Sequence, residues 1–202
     1  LPGSDSSRPR LVVGITGASG AIYGVRLLQI LQGLDIESHL VLSKSAAITL
    51  RQELDLPVSD VAALADVVHR ADNIGASIAS GSFKTLGMVV VPCSMRSLSE
   101  IATGATASLL TRAADVTLKE RRRLVLLARE TPLHLGHLKS MTAVTEIGAI
   151  VFPPVPAFYA KPGSLEQMVD QTLGRVLDLF GVEAGLVTRW NGLSAGTRQH
   201  AL

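Results

Sequence analysis

Four short polar clusters hold most of the residues that could bind or move charge, and each follows an apolar run. Thr16-Gly17-Ala18-Ser19-Gly20 offers small side chains and backbone N–H groups, which suit a phosphate or another anion at a helix N-terminus. Its glycines run Gly14-x-x-Gly17-x-x-Gly20, so it is not the dinucleotide fingerprint, and no Lys-Ser or Lys-Thr follows to make a Walker loop. The bland alternative is a tight turn serving only packing. Pro92-Cys93-Ser94-Met95-Arg96-Ser97 adds hydroxyls and a cation, where an ordinary serine helix cap is the alternative. Arg129-Glu130 sets a guanidinium beside a carboxylate, otherwise read as a surface ion pair worth little. Phe158-Tyr159-Ala160-Lys161 supplies a phenol and a cation. Together they describe a site for an anionic small molecule on one edge of a sheet.

The elements that must position these clusters alternate along the chain. Apolar runs at Leu11–Ile15, Ser38–Leu42, Met88–Val91, Leu124–Ala128 and Ala149–Phe152 read as strands, the last stopped by Pro153, Pro154 and Pro156. Helical periodicity covers Ala21–Leu34, Ser45–Leu54, Val61–Val68, Leu98–Thr103, Leu109–Arg122 and Leu135–Glu146. A last helix has Ser164 and Gln167 at capping-box spacing, an apolar stripe from Leu165 to Phe180, and Gly181 after its end. Asp72–Gly87 reads as a long loop. The alternation predicts one doubly wound α/β domain with a mostly parallel sheet, whose ligands sit beyond the strands' carboxyl ends.

Composition narrows the function. With 47% apolar and 18% charged residues the chain can bury a sizeable core, and a formal charge of +2 is too small for a non-specific nucleic-acid binder. A lone Cys93 excludes an internal disulfide and a multi-thiolate metal site and suits a reducing compartment, so the expected location is cytoplasmic. His134 and His137 have no third ligand nearby, and no metal is expected. The stretches Leu11–Val25 and Ile147–Ala160 lack charge, but glycines, prolines and hydroxyls break them, so neither spans a membrane. Residues 1–10 read as a disordered tail, 11–190 as the domain and 191–202 as a polar C-terminal tail.

Taken together, Ile15-Thr16-Gly17-Ala18-Ser19-Gly20-Ala21, Ala79-Ser80-Gly81-Ser82, Pro92-Cys93-Ser94-Met95-Arg96-Ser97-Leu98, Arg112-Ala113-Ala114-Asp115-Val116-x-Leu118-Lys119-Glu120-Arg121-Arg122 and Arg129-Glu130-x-Pro132 resemble the UbiX/Pad flavin prenyltransferase family. The resemblance implies a flavodoxin-like, Rossmann-like enzyme that joins a dimethylallyl group from dimethylallyl monophosphate to N5 and C6 of reduced FMN. It implies prenylated FMN as the product, delivered to UbiD-type decarboxylases, and a trimer-based homo-oligomer, commonly a dodecamer. By the family pattern Gly17, Ala18, Ser19, Ser43, Ser94, Met95, Arg96, Ser97 and Arg129 hold FMN. Arg112, Lys119, Tyr159 and Arg175 gather round the prenyl phosphate, some across a subunit boundary. Ser19, Glu53 and Glu130 are the polar groups near the flavin, and with Lys119 the catalytic set. Trp190 belongs to a segment that closes the site, and Ile74 lies where some members carry an aromatic.

The chemistry agrees with those roles. Breaking an allylic C–O bond leaves a carbocation and a phosphate, so fixed cations must stabilise the oxyanion while water is kept out. No two aspartates are adjacent to cage magnesium for a diphosphate, which fits a monophosphate leaving group. The rival readings are a flavin carrier without chemistry and a flavoprotein that decarboxylates a C-terminal cysteine. The latter uses a Met-Asn pair that this chain lacks.

Overall fold

The strand runs are continuously apolar because both of their faces are covered. In β1 (Arg10–Ile15), Leu11, Val13 and Ile15 enter one core and Val12 the other. The same division recurs in β2 (Glu37–Leu42), β4 (Gly87–Cys93) and β5 (Arg123–Ala128). The computed structural model describes residues 8–192. Its sheet is completed by β3 (Val67–His69) and β6 (Ile150–Val151) and has six strands in the order β3-β2-β1-β4-β5-β6, all pairs parallel.

Helices close both faces. α1 (Ala21–Gln32), α2 (Lys44–Leu54) and α7 (Leu165–Asp178) lie over one core, and α4 (Met95–Ala102), α5 (Leu109–Lys119) and α6 (Leu135–Glu146) over the other. In α1 the fully buried Leu27, Leu28 and Leu31 form the inward stripe, each contributing roughly 2 kcal/mol of burial. Ser43, Ser94, Ser108 and Ser164 cap α2, α4, α5 and α7 by accepting a backbone N–H in the first turn.

The strands are laid outward from β1 toward one edge and then from β4 toward the other, which makes the carboxyl ends of these two parallel neighbours the topological switch point of the sheet. The flavodoxin-like, Rossmann-like doubly wound architecture anticipated from the sequence is the one observed.

Three local readings change. The helix expected over Val61–Val68 is a short α3 (Val58–Ala62) followed by β3. There the β-branched Val67 and Val68 pair with His39 and Leu40, and Asp66 accepts the Ser38 N–H at 2.8 Å, so sheet pairing overrides helical periodicity. β4 runs past the expected Val91 to Cys93, with a register shift between Val90 and Cys93, and Ser94 starts α4 earlier than the expected Leu98. On the domain side, the tail expected over 1–10 ends sooner. Arg8 donates to the Ile36 carbonyl and to Asp66, and Arg10 opens β1. The remainder of that tail and residues 193–202 lie outside the described residues.

Candidate functional site

Beyond the carboxyl ends of β1, β2 and β4, the turns are stitched to one another before any ligand is considered. The Thr16 hydroxyl donates to the Pro92 carbonyl at 2.7 Å and accepts the Ser94 N–H at 2.8 Å, joining the turns that flank the switch point. Ser43 N–H donates to the Ile15 carbonyl at 2.9 Å, and the Ser43 and Ser45 hydroxyls lie 3.1 Å apart. Gly17 is required by proximity. A Cβ there would stand 2.5 Å from both Cβ and Oγ of Ser45. Gly20, at φ 97°, takes the left-handed conformation that turns the chain into α1.

The anion at the N-terminus of α1 comes from the chain itself. The Glu53 carboxylate accepts the Gly20 N–H at 2.9 Å and the Ala21 N–H at 2.9 Å. Burial works against its charge but is outweighed by hydrogen bonds from Ser19, Ala21 and Gly20 and by the positive charge of Arg129, so the carboxyl lies below its usual range. Glu53, Ser19 and Arg129 therefore form one cluster. Glu53 acts in it as a helix cap, a role that the sequence reading, which set it beside the flavin, did not assign.

Ser94 and Ser97 face each other with hydroxyls 3.2 Å apart at the start of α4. Met95, 7% exposed, is packed into the core, and Arg96 reaches one turn forward along the solvent side of the helix to Glu100 at 3.0 Å. Arg129 and Glu130 are exposed after β5, where Glu130 accepts the Thr131 N–H at 3.1 Å. Cys93, buried behind this cradle, has its thiol pushed up to about 12 by desolvation.

A second region lies beyond β6. Phe152, Val155 and Trp190 supply apolar lining and Tyr159, Gln171 and Arg175 polar lining to a hollow of about 270 Å³. The Trp190 ring stands edge-on to Tyr159, centroids 5.9 Å apart. Arg175, exposed, has a loose partner in Asp178 at 3.7 Å. Gln171 was not singled out by sequence, although a glutamine one helical turn before Arg175 on a buried face was a legible signal.

One chain does not gather the four residues expected round the phosphate. Tyr159 and Arg175 meet, but Arg112, in the first turn of α5, pairs with Asp115 at 2.7 Å. The N-terminus of α5 is anchored to the Ala71 carbonyl just past β3, at the opposite sheet edge from β6. Lys119, ion-paired with Glu120, ends α5 shortly before β5 opens, at the amino-terminal edge of the sheet. Ile74 is 67% exposed. Among the described residues no group of three or more His, Cys, Asp or Glu is placed to hold a metal, and no helix is long and apolar enough to cross a membrane.

The Flavoprotein family model matches residues 2–178. Flavin prenyltransferase UbiX of Escherichia coli strain K12 is 60% identical over 186 residues, covering 91% of this chain and 98% of that one. The solved structure of AnUbiX (PadA1) in complex with FMN and dimethylallyl pyrophosphate superposes with TM-score 0.90 at 53% identity, covering 93% of this chain and all of that one. The dodecameric FMN-dependent Ubix-like decarboxylase from Escherichia coli O157:H7 gives TM-score 0.88 at 48% identity over 91% of this chain and all of its own. The FMN-dependent cysteine decarboxylase TvaF, at 15% identity and TM-score 0.59, shares the fold alone.

Proposed function

The chain belongs to the Flavoprotein family and, within it, to the flavin prenyltransferases, and from that premise we propose how its residues divide the work of joining a dimethylallyl group to FMN. The reaction is a metal-independent prenyl transfer. The rival readings, a carrier or a cysteine decarboxylase, are not favoured.

The cradle at the switch point fits a flavin. The Thr16 hydroxyl fixes the two turns against each other, the position beside Gly17 tolerates no side chain, and Ser43, Ser94, Ser97 and Arg129 present hydroxyls and a cation at its rim. Reduced FMN supplies the electron-rich N5 and C6 that accept the prenyl carbon atoms. Gly17, Ala18 and Ser19 shape the floor. Since the Gly20 and Ala21 N–H groups already serve Glu53, the flavin phosphate draws on the serine hydroxyls and Arg129.

The hollow beyond β6 fits the donor. Tyr159 and Arg175 hold a monophosphate there, while Phe152, Val155 and Trp190 shield the allylic carbons from water. As the allylic C–O bond breaks, the electron pair leaves with the phosphate oxygen, whose growing charge Arg175 and the Tyr159 hydroxyl stabilise. Ring closure consumes the alkene, placing a proton on its inner carbon while C6 loses one, and Glu130 or the departing phosphate exchanges these protons. Arg112 and Lys119, remote from this hollow within one chain, act on a neighbouring subunit's site. That arrangement requires a homo-oligomer, and the dodecameric relative supports one. Delivery of prenylated FMN to a UbiD-type decarboxylase and a cytoplasmic location complete the reading.

The observation that carries it is the pairing, in one chain, of a glycine- and serine-lined cradle at the switch point with a hollow lined by Tyr159 and Arg175 together with Phe152, Val155 and Trp190. Anaerobic incubation with reduced FMN and dimethylallyl monophosphate, followed by mass spectrometry of the extracted flavin, should give a flavin heavier by one C5 unit. Glu130→Gln should retain FMN and lose transfer. Unmodified FMN from the parent enzyme would overturn the donor assignment.

A further inference from the structure

Gln171 is 5% exposed on α7, where a carboxamide is costly unless its polar atoms are paired. Its partners come from outside the helix. Nε2 donates to the Thr188 carbonyl at 3.2 Å, and Oε1 accepts the Thr188 N–H at 2.8 Å. Nε2 also donates to the Tyr159 hydroxyl at 3.4 Å. One side chain thus ties together α7, the segment 186–190 and the turn bearing Tyr159.

The neighbouring contacts show that this is a seam. A Cβ on Gly174 would stand 2.6 Å from Val187 Cγ2, so the segment rests on bare helix backbone one turn further along. Arg189 clasps Asp178 through two 3.0 Å bonds, but that pair is exposed and screened by solvent. Gln171 supplies the buried fastening. Two residues past Thr188 comes Trp190, edge-on to Tyr159 at the hollow.

We infer that Gln171 is a positioning residue for prenyl transfer: it latches the segment carrying Trp190 onto α7 and sets the Tyr159 hydroxyl in the donor hollow. The inference rests on the assignment of that hollow to the prenyl phosphate. A primary carboxamide brings a donor and an acceptor to Thr188 at once. A carboxylate would face the Thr188 carbonyl without a proton to give, and leucine would leave both Thr188 groups unpaired.

Trp190 is the chain's single tryptophan, so its fluorescence reports the latch without any reaction. In the full-length enzyme, Gln171→Leu and Gln171→Glu should make Trp190 more accessible to acrylamide and raise KM for dimethylallyl monophosphate about tenfold or more. FMN affinity should stay within about twofold, since the cradle is a separate structure. Gln171→Asn, which keeps both groups on a shorter stem, should recover part of the loss. If the leucine variant fails to fold, the near-isosteric Gln171→Glu keeps the test open. Unchanged quenching of Trp190 overturns the latch whatever the kinetics. Equal losses of FMN affinity and donor affinity overturn the positioning role, because they mark a general structural defect. A parent enzyme that transfers no prenyl group overturns the donor assignment, while the quenching data still decide the latch.

Discussion

The cradle at the switch point and the hollow beyond β6 are built on opposite plans. The cradle is backbone and small hydroxyls, held by bonds such as Thr16 Oγ1 to the Pro92 carbonyl and sealed by a glycine that admits no side chain. The hollow is assembled from side chains that reach in from a turn, a helix and a terminal segment, several of them exposed. A rigid site suits an acceptor held in a fixed orientation, and a looser one suits a donor that must enter and leave as phosphate. Damage in the first should therefore register as lost fold and lost flavin, and in the second as lost donor affinity.

The largest expected effect is at Gly17. Gly17→Ala forces the new methyl into Ser45, destabilising the domain by about 2 kcal/mol or more and releasing FMN, checked by thermal melting and flavin retention. A variant that melts like the parent and keeps FMN would erase the distinction between the regions. Next come Arg175→Ala and Tyr159→Phe. Each should raise donor KM roughly tenfold to a hundredfold, as charged hydrogen bonds are worth about 1.5–3 kcal/mol, with melting nearly unchanged. Loss of FMN binding in either would mean that the two regions are one.

Glu53 sharpens the comparison through pH. Its folded-state carboxyl lies below the unfolded value of 4.5, so its contribution is fully present above that value and is lost as pH falls through the folded one. Glu53→Gln should cost about 1 kcal/mol at neutral pH, a loss typical of a helix cap, and the gap from the parent should close on acidification. A pH-independent gap in denaturant melts would remove the carboxylate from this role. The smallest effect belongs to Cys93, buried beside Ser94 with its thiol near 12. A disulfide reagent at mildly alkaline pH should leave it unlabelled and FMN binding intact until the protein unfolds, whereas rapid labelling would show that the cradle opens.

What was legible in the sequence followed from local physics. The apolar runs of β1, β4 and β5 and the capped stripe of α7 carry their own periodicity and punctuation, and the Ser94 cap stands next to its helix. β3 was misread because Val67-Val68-His69 is too short for a periodic signal and becomes a strand only by pairing with β2. Glu53 capping a helix on another element, and Gln171 bonding to Thr188, are contacts across 32 and 17 positions that spacing does not encode.

By itself the sequence determined the alternation of strand and helix, the turns that follow each strand, the residue types fit for flavin and phosphate, and the family to which they belong. Each of these is written in neighbouring residues, where backbone geometry and side-chain chemistry act over a few positions. Only the tertiary structure decided that the anion at α1 is the chain's own Glu53, and that Tyr159 and Arg175 share a hollow while Arg112 and Lys119 lie elsewhere. The strand order β3-β2-β1-β4-β5-β6 sets those separations, and a chain fixes that order only by burying both faces of one sheet at once.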